Sequence, residues 1–400
     1  MSQNQSPAAS ASSVSPLRET AQYFMRLGIT GFGGPLAVVA TMQKDLVETR
    51  GWLTEDEFAR AFALIKAMPG PVAFQTAVYV GRRHAGLWGG AAAAFGIVFP
   101  AFVLMVLFGA FLANVEGLAP VTAFLEGMQA AALGLILAST KGLFWPYRKK
   151  IEFWLLAALA AGLTFYRPSW EPLAIIGLGV AVTLVYEVKK RGLHKQHMFL
   201  TGLALPSFLL GDPSSSAVAR AGSIPAALGD LAWVSFKAGA LVFGSGIAIV
   251  PLLEQDFVAR LGWLTHGEFM NALAFGQVTP GPVVITATFI GYKALGLTGA
   301  IVGTACVFGA PFFHMMTWFP PLVGRLARLT WIPAFLTGAI AAVVGAILAT
   351  SIKLALPFAA SPLLIALIIA ALVAALFSKL PAWSVIPLGG AIALLARWLF

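Results

Sequence analysis

Pro69-Gly70-Pro71-Val72 interrupts an apolar run, and Pro280-Gly281-Pro282-Val283 interrupts another 211 residues later. Proline has no amide hydrogen and its ring clashes with the preceding turn, while the residue before it is pushed out of the helical region. Each run, 58–80 and 269–291, therefore reads as two half-helices meeting at Pro-Gly-Pro, either a broken span or a re-entrant hairpin. Working outward at the same shift, Gly28 falls on Gly239, Phe32-Gly33 on Phe243-Gly244 and Asp45 on Asp256. Gly51-Trp52-Leu53-Thr54 falls on Gly262-Trp263-Leu264-Thr265, and Glu57-Phe58 on Glu268-Phe269. Chance likeness between apolar helices would match Leu, Val and Ala. Matches in Trp, Asp, Glu, Gly and Pro mean that one unit has been duplicated.

The 400 residues are 59% hydrophobic and only 10% charged, too little charge to cover the surface of a soluble protein of this length. Apolar segments run over 24–43, 58–80, 86–113, 119–143, 151–166 and 171–187, then 229–253, 269–291, 294–318, 331–356, 361–377 and 383–399. The fold class is an all-α polytopic membrane protein, with roughly ten full spans plus two hairpins. We divide it into a disordered tail (1–20), a first repeat (21–190), a linker (191–225) and a second repeat (226–400). Residues 198–210 are too short for a span, and the first ~20 residues lack the apolar core of a signal peptide. The net charge of +10 sits in short clusters between apolar runs, such as Arg148-Lys149-Lys150 and Lys189-Lys190-Arg191. That is the pattern of membrane topology signals and not of a nucleic-acid surface. One cysteine, Cys306, excludes an internal disulfide and a thiolate metal site, and no metal or cofactor is expected.

Basic residues also set the relative orientation of the repeats. After the third segment the first repeat has no Lys or Arg over Asn114–Pro120, whereas the second has Arg325 and Arg328. After the fourth segment the first has Lys141, Arg148, Lys149 and Lys150, the second only Lys353. A reversed bias means opposite orientation, and inverted repeats place a substrate site near the midplane where they meet.

Irregular backbone at membrane depth is tolerated only inside protein or along a polar cavity. A half-helix starting after Pro71 or Pro282 presents free amides and a partial positive charge, which suits an anion. The expected substrate site is Lys66, Pro69, Gly70, Pro71 and Gln75 from the first repeat, with Gln277, Thr279, Pro280, Gly281 and Pro282 from the second. Glycine-rich breaks add Gly33 and Gly34, and Gly244 and Ser245; Arg26 and Lys237 are the repeat-related cations. Packing is an equal reading for the glycines. Arg82, matched with Lys293, and Arg83 read as snorkelling cations, Glu126 as a candidate proton site, and His314 as a packing histidine. Thr54 with Glu57 fits a capping box.

These motifs resemble the CHR family of chromate ion transporters in its two-domain long form. Phe32-Gly33-Gly34-Pro35, Gly51-Trp52-Leu53-Thr54 and Pro69-Gly70-Pro71 with Gln75 are similar to its first half. Phe243-Gly244-Ser245-Gly246, Gly262-Trp263-Leu264-Thr265 and Gly276-Gln277 with Thr279-Pro280-Gly281-Pro282 are similar to its second. Lys66 stands where many members carry Gln or Asn. The resemblance implies export of chromate, with sulfate as structural analogue, across the cytoplasmic membrane, conferring chromate resistance. The partners are then the oxyanion and membrane lipid, with the oligomeric state left open between a single copy and a homodimer. A transporter or channel for another anion such as sulfate, or a lipid flippase, is the alternative. No HExxH, GxSG or GxGD motif points to an enzyme, and no catalytic residue is assigned.

Overall fold

The computed structural model describes residues 15–115, 117–191, 224–326, 328–378 and 380–399. The linker and the 198–210 segment lie almost wholly outside the described residues. The fold is all-helical among those residues, and it carries the duplication in its coordinates.

Helix α1 (Pro16–Thr30) starts inside the stretch assigned to the tail, because Ser15 caps it and proline at its first position has no amide to satisfy. It breaks over residues 31–34, resumes as α2 (Pro35–Met42) and ends in a π-helical turn, Gln43–Thr49, closed by the Arg50 amide on the Asp45 carbonyl at 2.9 Å. A capping box, Thr54 with Glu57, then starts α3 (Glu55–Ile65). Residues 66–71 are irregular, and α4 (Val72–Val115) follows, reversed at Ala85-Gly86, where Gly86 has φ 67° and ψ −158°. The reversal lays Gly81 against Gly89, which a straight helix would hold two turns apart. The first repeat ends with α5 (Ala119–Phe144), α6 (Ile151–Tyr166) and α7 (Glu171–Arg191).

The second repeat retraces this path. Helix α8 (Ile224–Leu241) breaks near Gly244, and α9 (Ile249–Leu253) runs into a π-helical turn, Glu254–Arg260, again shifted by 211 residues. Capped by Thr265 with Glu268, α10 (His266–Val278) leads to Pro-Gly-Pro and to α11 (Thr286–Met316), which reverses at Leu295-Gly296. Then come α12 (Phe319–Leu326), α13 (Ile332–Ala355), α14 (Pro362–Phe377) and α15 (Ala382–Leu399). The limb after Pro-Gly-Pro is one residue shorter here, so Lys293 takes the place of Arg83 and not of Arg82, as the uniform shift implied.

Packing between repeats is reciprocal. Gly127 of α5 lies against the Gly389 carbonyl of α15, and Gly338 of α13 against Leu178 of α7. Gly134 of α5 lies against Ile368 of α14, and Gly345 of α13 against Ala157 of α6. Each pair maps onto the other under the 211-residue shift, so the two halves are related by a pseudo-twofold axis. The last two helices of each repeat therefore pack on α13 or α5 of the other. Small residues let these backbones approach closely, as membrane helices require when hydrophobicity does not drive association.

Among the described residues, five helical stretches are long and apolar enough to cross a membrane: Val72–Val115, Ala119–Tyr147, Pro168–Val188, Val283–Met316 and Ile332–Ala360. Their outward faces are apolar. On α4, Trp88, Phe95, Phe99, Val103, Leu107 and Phe111 are exposed, mostly at four-residue spacing along one stripe, while Gly89, Ala93, Ile97, Ala101 and Met105 are buried. Large side chains outside and small or polar ones inside is the arrangement for a lipid solvent.

Candidate functional site

Each Pro-Gly-Pro turn is the tip of a helical hairpin. Glu57 near the start of α3 accepts from Arg83 Nη2 at 3.2 Å, although the two lie on opposite sides of the tip in sequence. In the second repeat Lys293 Nζ bonds the repeat-related Glu268 at 3.0 Å. The ion pairs close the hairpin bases and fix the limbs antiparallel. At the tips Gly70 has φ 129° and Gly281 has φ 102°, values that favour glycine strongly.

The tips meet the breaks in the first helices, and they do so across the repeats. The Gly70 amide donates to the Val242 carbonyl at 2.6 Å, and the Gly281 amide donates to the Gly31 carbonyl at 3.1 Å. Val242 is Gly31 shifted by 211 residues, as Gly281 is Gly70. Four irregular main-chain segments thus converge on one centre: two hairpin tips, the break at Gly33-Gly34 (φ 101° and 84°) and the break at Gly244-Ser245 (φ 76° at Gly244).

The centre is closely packed. Gln75 is fully buried; its Nε2 donates to the Pro69 carbonyl at 2.8 Å, folding over the tip, and its Oε1 has no donor. Thr279, 5% exposed, donates to the Phe275 carbonyl at 2.7 Å, and Gln277 Nε2 reaches the Ala132 carbonyl of α5 at 3.2 Å. The first-turn amides of α4, Val72 to Phe74, have no acceptor in their own helix and lie under buried side chains.

Pro69, Gly70, Pro71, Gln75, Thr279, Pro280, Gly281, Pro282, Gly33, Gly34, Gly244 and Ser245 all belong to these converging segments, with Gln277 on the helix entering the second tip. The cations behave differently. Lys66 caps the end of α3, exposed, with its ammonium 5.5 Å from the Phe62 ring centre. Arg26 is exposed on α1. Lys237 is held by Asp256 at 2.5 Å, and Asp256 also takes Arg260 Nε at 2.8 Å. Lys237 therefore shares one carboxylate with Arg260. His314 packs as expected, its Nδ1 accepting from Trp318 Nε1 at 3.0 Å.

A cationic cleft that the sequence reading did not assemble lies at the base of the first hairpin. It encloses about 590 Å³ among Glu57, Arg60, Tyr79, Arg82, Arg83, Pro320, Pro321, Val323 and Gly324. Arg82 Nη1 donates to the Met315 and Thr317 carbonyls, both at 3.3 Å, at the C-terminal end of α11. Arg60 Nε donates to its own helix at the Asp56 carbonyl, 3.1 Å away. Neither guanidinium has a carboxylate partner among the described residues, so the cleft keeps an excess of positive charge. The signal was weak in sequence: Arg60 lies on the polar face of α3, and only the hairpin fold brings it beside Arg82 and Arg83. At the base of the second hairpin Asn271 occupies the position of Arg60. Its Oδ1 accepts from Gln129 Nε2 of α5 at 2.8 Å, and that nitrogen also reaches the Gly267 carbonyl at 3.3 Å.

Two interlocked helical units, each with a hairpin tip seated in the other's broken helix and an apolar outer face, define a duplicated membrane protein of the transporter type. The sequence model described as Chromate transporter matches twice, over residues 18–184 and 229–395, and the chain belongs to that family. It is 35% identical to a probable chromate transport protein of Synechococcus elongatus over 338 residues, 83% of this chain and 82% of that one. It is 33% identical to a chromate transport protein of Cupriavidus metallidurans over 344 residues, 85% and 82% of the two chains. A chromate transport protein of Pseudomonas aeruginosa is 31% identical over 340 residues, 83% and 79%. No solved structure matches the chain.

Proposed function

We propose that this protein is a secondary transporter that exports chromate, or a sulfate-like oxyanion, across the cytoplasmic membrane and so confers chromate resistance. The cargo follows from the family and from relatives named for chromate transport. The observation that carries the mechanism is the reciprocal pair of tip-to-break bonds, Gly70 to Val242 and Gly281 to Gly31.

A tetrahedral dianion needs main-chain donors and positive charge in a dry site. The first turn of α4 and the turn starting α11 offer such donors at the crossing. The arginine cleft at the first hairpin base offers an attractive approach, since a concave surface of one sign concentrates counter-ions. Each repeat then makes five crossings, counting α1 with α2 as one broken span, plus a re-entrant hairpin. Five is odd, so a linker that stays on one side inverts the second repeat. The tightly packed tips are the occluded form; separating a tip from the opposite break exposes its donors. Rocking one repeat against the other would do this alternately on the two sides.

Flux of chromate and of sulfate into proteoliposomes, with and without a pH gradient, tests the reading. Saturable flux of either anion is the expected result, and none above protein-free vesicles refutes it. Lys66→Ala and Arg60→Ala should each weaken oxyanion flux at normal expression, because both cations border the first hairpin. Wild-type flux in Lys66→Ala removes Lys66 from the path.

A further inference from the structure

Away from the hairpin tips lies a second buried polar group, and its centre is Glu171. This residue opens α7 and is 2% exposed, yet neither carboxyl oxygen has a hydrogen-bond partner. The charges that act on it are Asp256, Lys237, Glu254 and Lys353. Asp256, also 2% exposed, is clamped between Lys237 and Arg260. Lys353 points its ammonium at the Thr164 carbonyl, 3.1 Å away, over the Phe165 ring. Four elements from both repeats therefore converge on one carboxyl: α7, the π-helical turn at Glu254–Arg260, α8 and the end of α13.

Packing does not require these charges, because the pseudo-symmetric position lacks them. At the 211-residue shift Glu171 falls on Ala382, Lys353 on Gly142, Arg260 on Thr49 and Glu254 on Gln43. Asp256 and Lys237 keep counterparts in Asp45 and Arg26, but Asp45 takes the Tyr23 hydroxyl at 3.2 Å and Arg26 is exposed. The backbone of the two halves agrees down to single main-chain bonds, yet one half has gained a buried cluster. Burying a carboxylate without hydrogen bonds is costly at membrane depth, which makes a functional role the better reading of this group.

We propose that Glu171 is a proton-binding site, taking up and releasing one proton on its carboxyl as the transport cycle proceeds. With Glu171 ionised, its charge and those of Glu254 and Asp256 balance Lys237, Arg260 and Lys353. With the proton bound, the group carries one net positive charge. The other packed elements add little: α6 brings Thr164 to this end, the 168–170 turn follows the exposed Arg167, and His266 lies on α10 with its ring against Phe358. Both oxygens of Glu171 are buried and lack a hydrogen-bond partner, so it can change state without breaking a salt bridge. A proton is therefore the ligand this geometry takes most readily. Its coupling to oxyanion movement rests on the transport reading above; the proton site itself does not.

Infrared difference spectra of the reconstituted protein between acid and neutral pH test the site directly, and flux under an imposed pH gradient tests the coupling. The expected results are a carboxylic-acid C=O band in the wild type that is absent in Glu171→Gln, and a flux that responds to the gradient in the wild type but not in the variant. A band that persists in Glu171→Gln, or an undiminished response to the gradient, overturns the proposal. Should Glu171→Gln fail to fold, Glu171→Asp must shift the pH midpoint of the band, and an unmoved midpoint overturns it equally. Absence of any oxyanion flux in the wild type refutes the cargo, and the infrared band alone then upholds or overturns the proton site.

Discussion

Replacing the tip glycines with alanine separates strain from crowding at the proposed crossing. Gly262 is the control: its φ is 61° and a Cβ there meets nothing within 4 Å, so Gly262→Ala costs only the left-handed backbone, about 1–2 kcal/mol. At Gly281 the φ of 102° lies further from the region that alanine tolerates, with the Ile97 carbonyl 3.3 Å from the new Cβ. The expected cost is about 1–3 kcal/mol, mostly strain. At Gly70 the φ is 129° and the Cβ would lie 2.6 Å from Gln75 Nε2 and 2.7 Å from Pro311 Cβ. Gln75 cannot yield freely, because its amide is bonded to the Pro69 carbonyl. Overpacking adds about 1–3 kcal/mol to the strain, and displacing the tip also puts the Gly70–Val242 bond at risk. Apparent melting temperatures in one detergent should therefore fall in the order wild type, Gly262→Ala, Gly281→Ala, Gly70→Ala. Oxyanion flux should drop most in Gly70→Ala. Equal melting temperatures for Gly70→Ala and Gly262→Ala would mean that the first tip is not packed against Gln75 and Pro311, and the occluded centre would have to be redrawn.

The two repeat-related aspartates should differ sharply. Asp256→Asn leaves Lys237 and Arg260 facing a buried neutral amide, at a cost of about 3–5 kcal/mol, whereas Asp45→Asn loses one bond from Tyr23, about 0.5–1.5 kcal/mol; thermal melts of the pair check this. The hairpin bases should loosen in acid. The Thr54 amide and hydroxyl hold the Glu57 carboxyl below its ordinary 4.5; burial works against the Glu268 carboxylate, but the Thr265 bonds and the Lys293 ammonium outweigh it. Groups depressed on folding stabilise above their unfolded value and lose that contribution as pH falls through the folded one. Melting temperature should thus decline below about pH 4.5, and less steeply in Glu268→Gln.

How much of this was legible follows from which signals are local. Proline stops a helix wherever it stands, so the interruptions at 69–71 and 280–282 could be read from sequence, and the Thr54–Glu57 and Thr265–Glu268 caps depend on neighbours three residues apart. Duplication was legible because Trp, Gly and Asp recur at a fixed shift. The closure of the hairpins on Glu57–Arg83 and Glu268–Lys293 was not, since one residue is missing from the second limb and a uniform shift pairs Lys293 with the wrong arginine. Lys66 stands before the tip in sequence, but depth along a segment does not say which way a side chain points, and its ammonium lies over the Phe62 ring. The pairing of Lys237 with Asp256 was not legible, because only the π-helical turn brings the two together. Glu171 and Arg60 were passed over because each stands at a segment edge, where charge is ordinary; only the tertiary fold buries one and lines a cleft with the other.

The pseudo-symmetry also says which side should be open. Arg60 and Asn271 are the same position in the two repeats, yet Arg60 borders a cavity of about 590 Å³ while Asn271 is buried against Gln129. For the repeats to exchange roles, α13 would have to close over Arg60 as α5 closes over Asn271. The counterpart of Gln129 on α13 is Ile340, which has no donor to offer, so the exchanged state lacks this lock. The form with the first cleft open is therefore favoured by the Gln129–Asn271 bond. Gln129→Leu leaves Asn271 buried with an unmet carbonyl, a loss of about 1–3 kcal/mol that shifts the balance five- to 150-fold toward opening at the second hairpin base. Gly267 reports on that base: its carbonyl meets Gln129, and a Cβ there would touch nothing within 4 Å. In a background where the single cysteine is removed by Cys306→Ser, Gln129→Leu should accelerate thiol labelling of Gly267→Cys. An unchanged labelling rate would mean that the bond does not hold the second side shut, and the inequality of the two clefts would then need another cause.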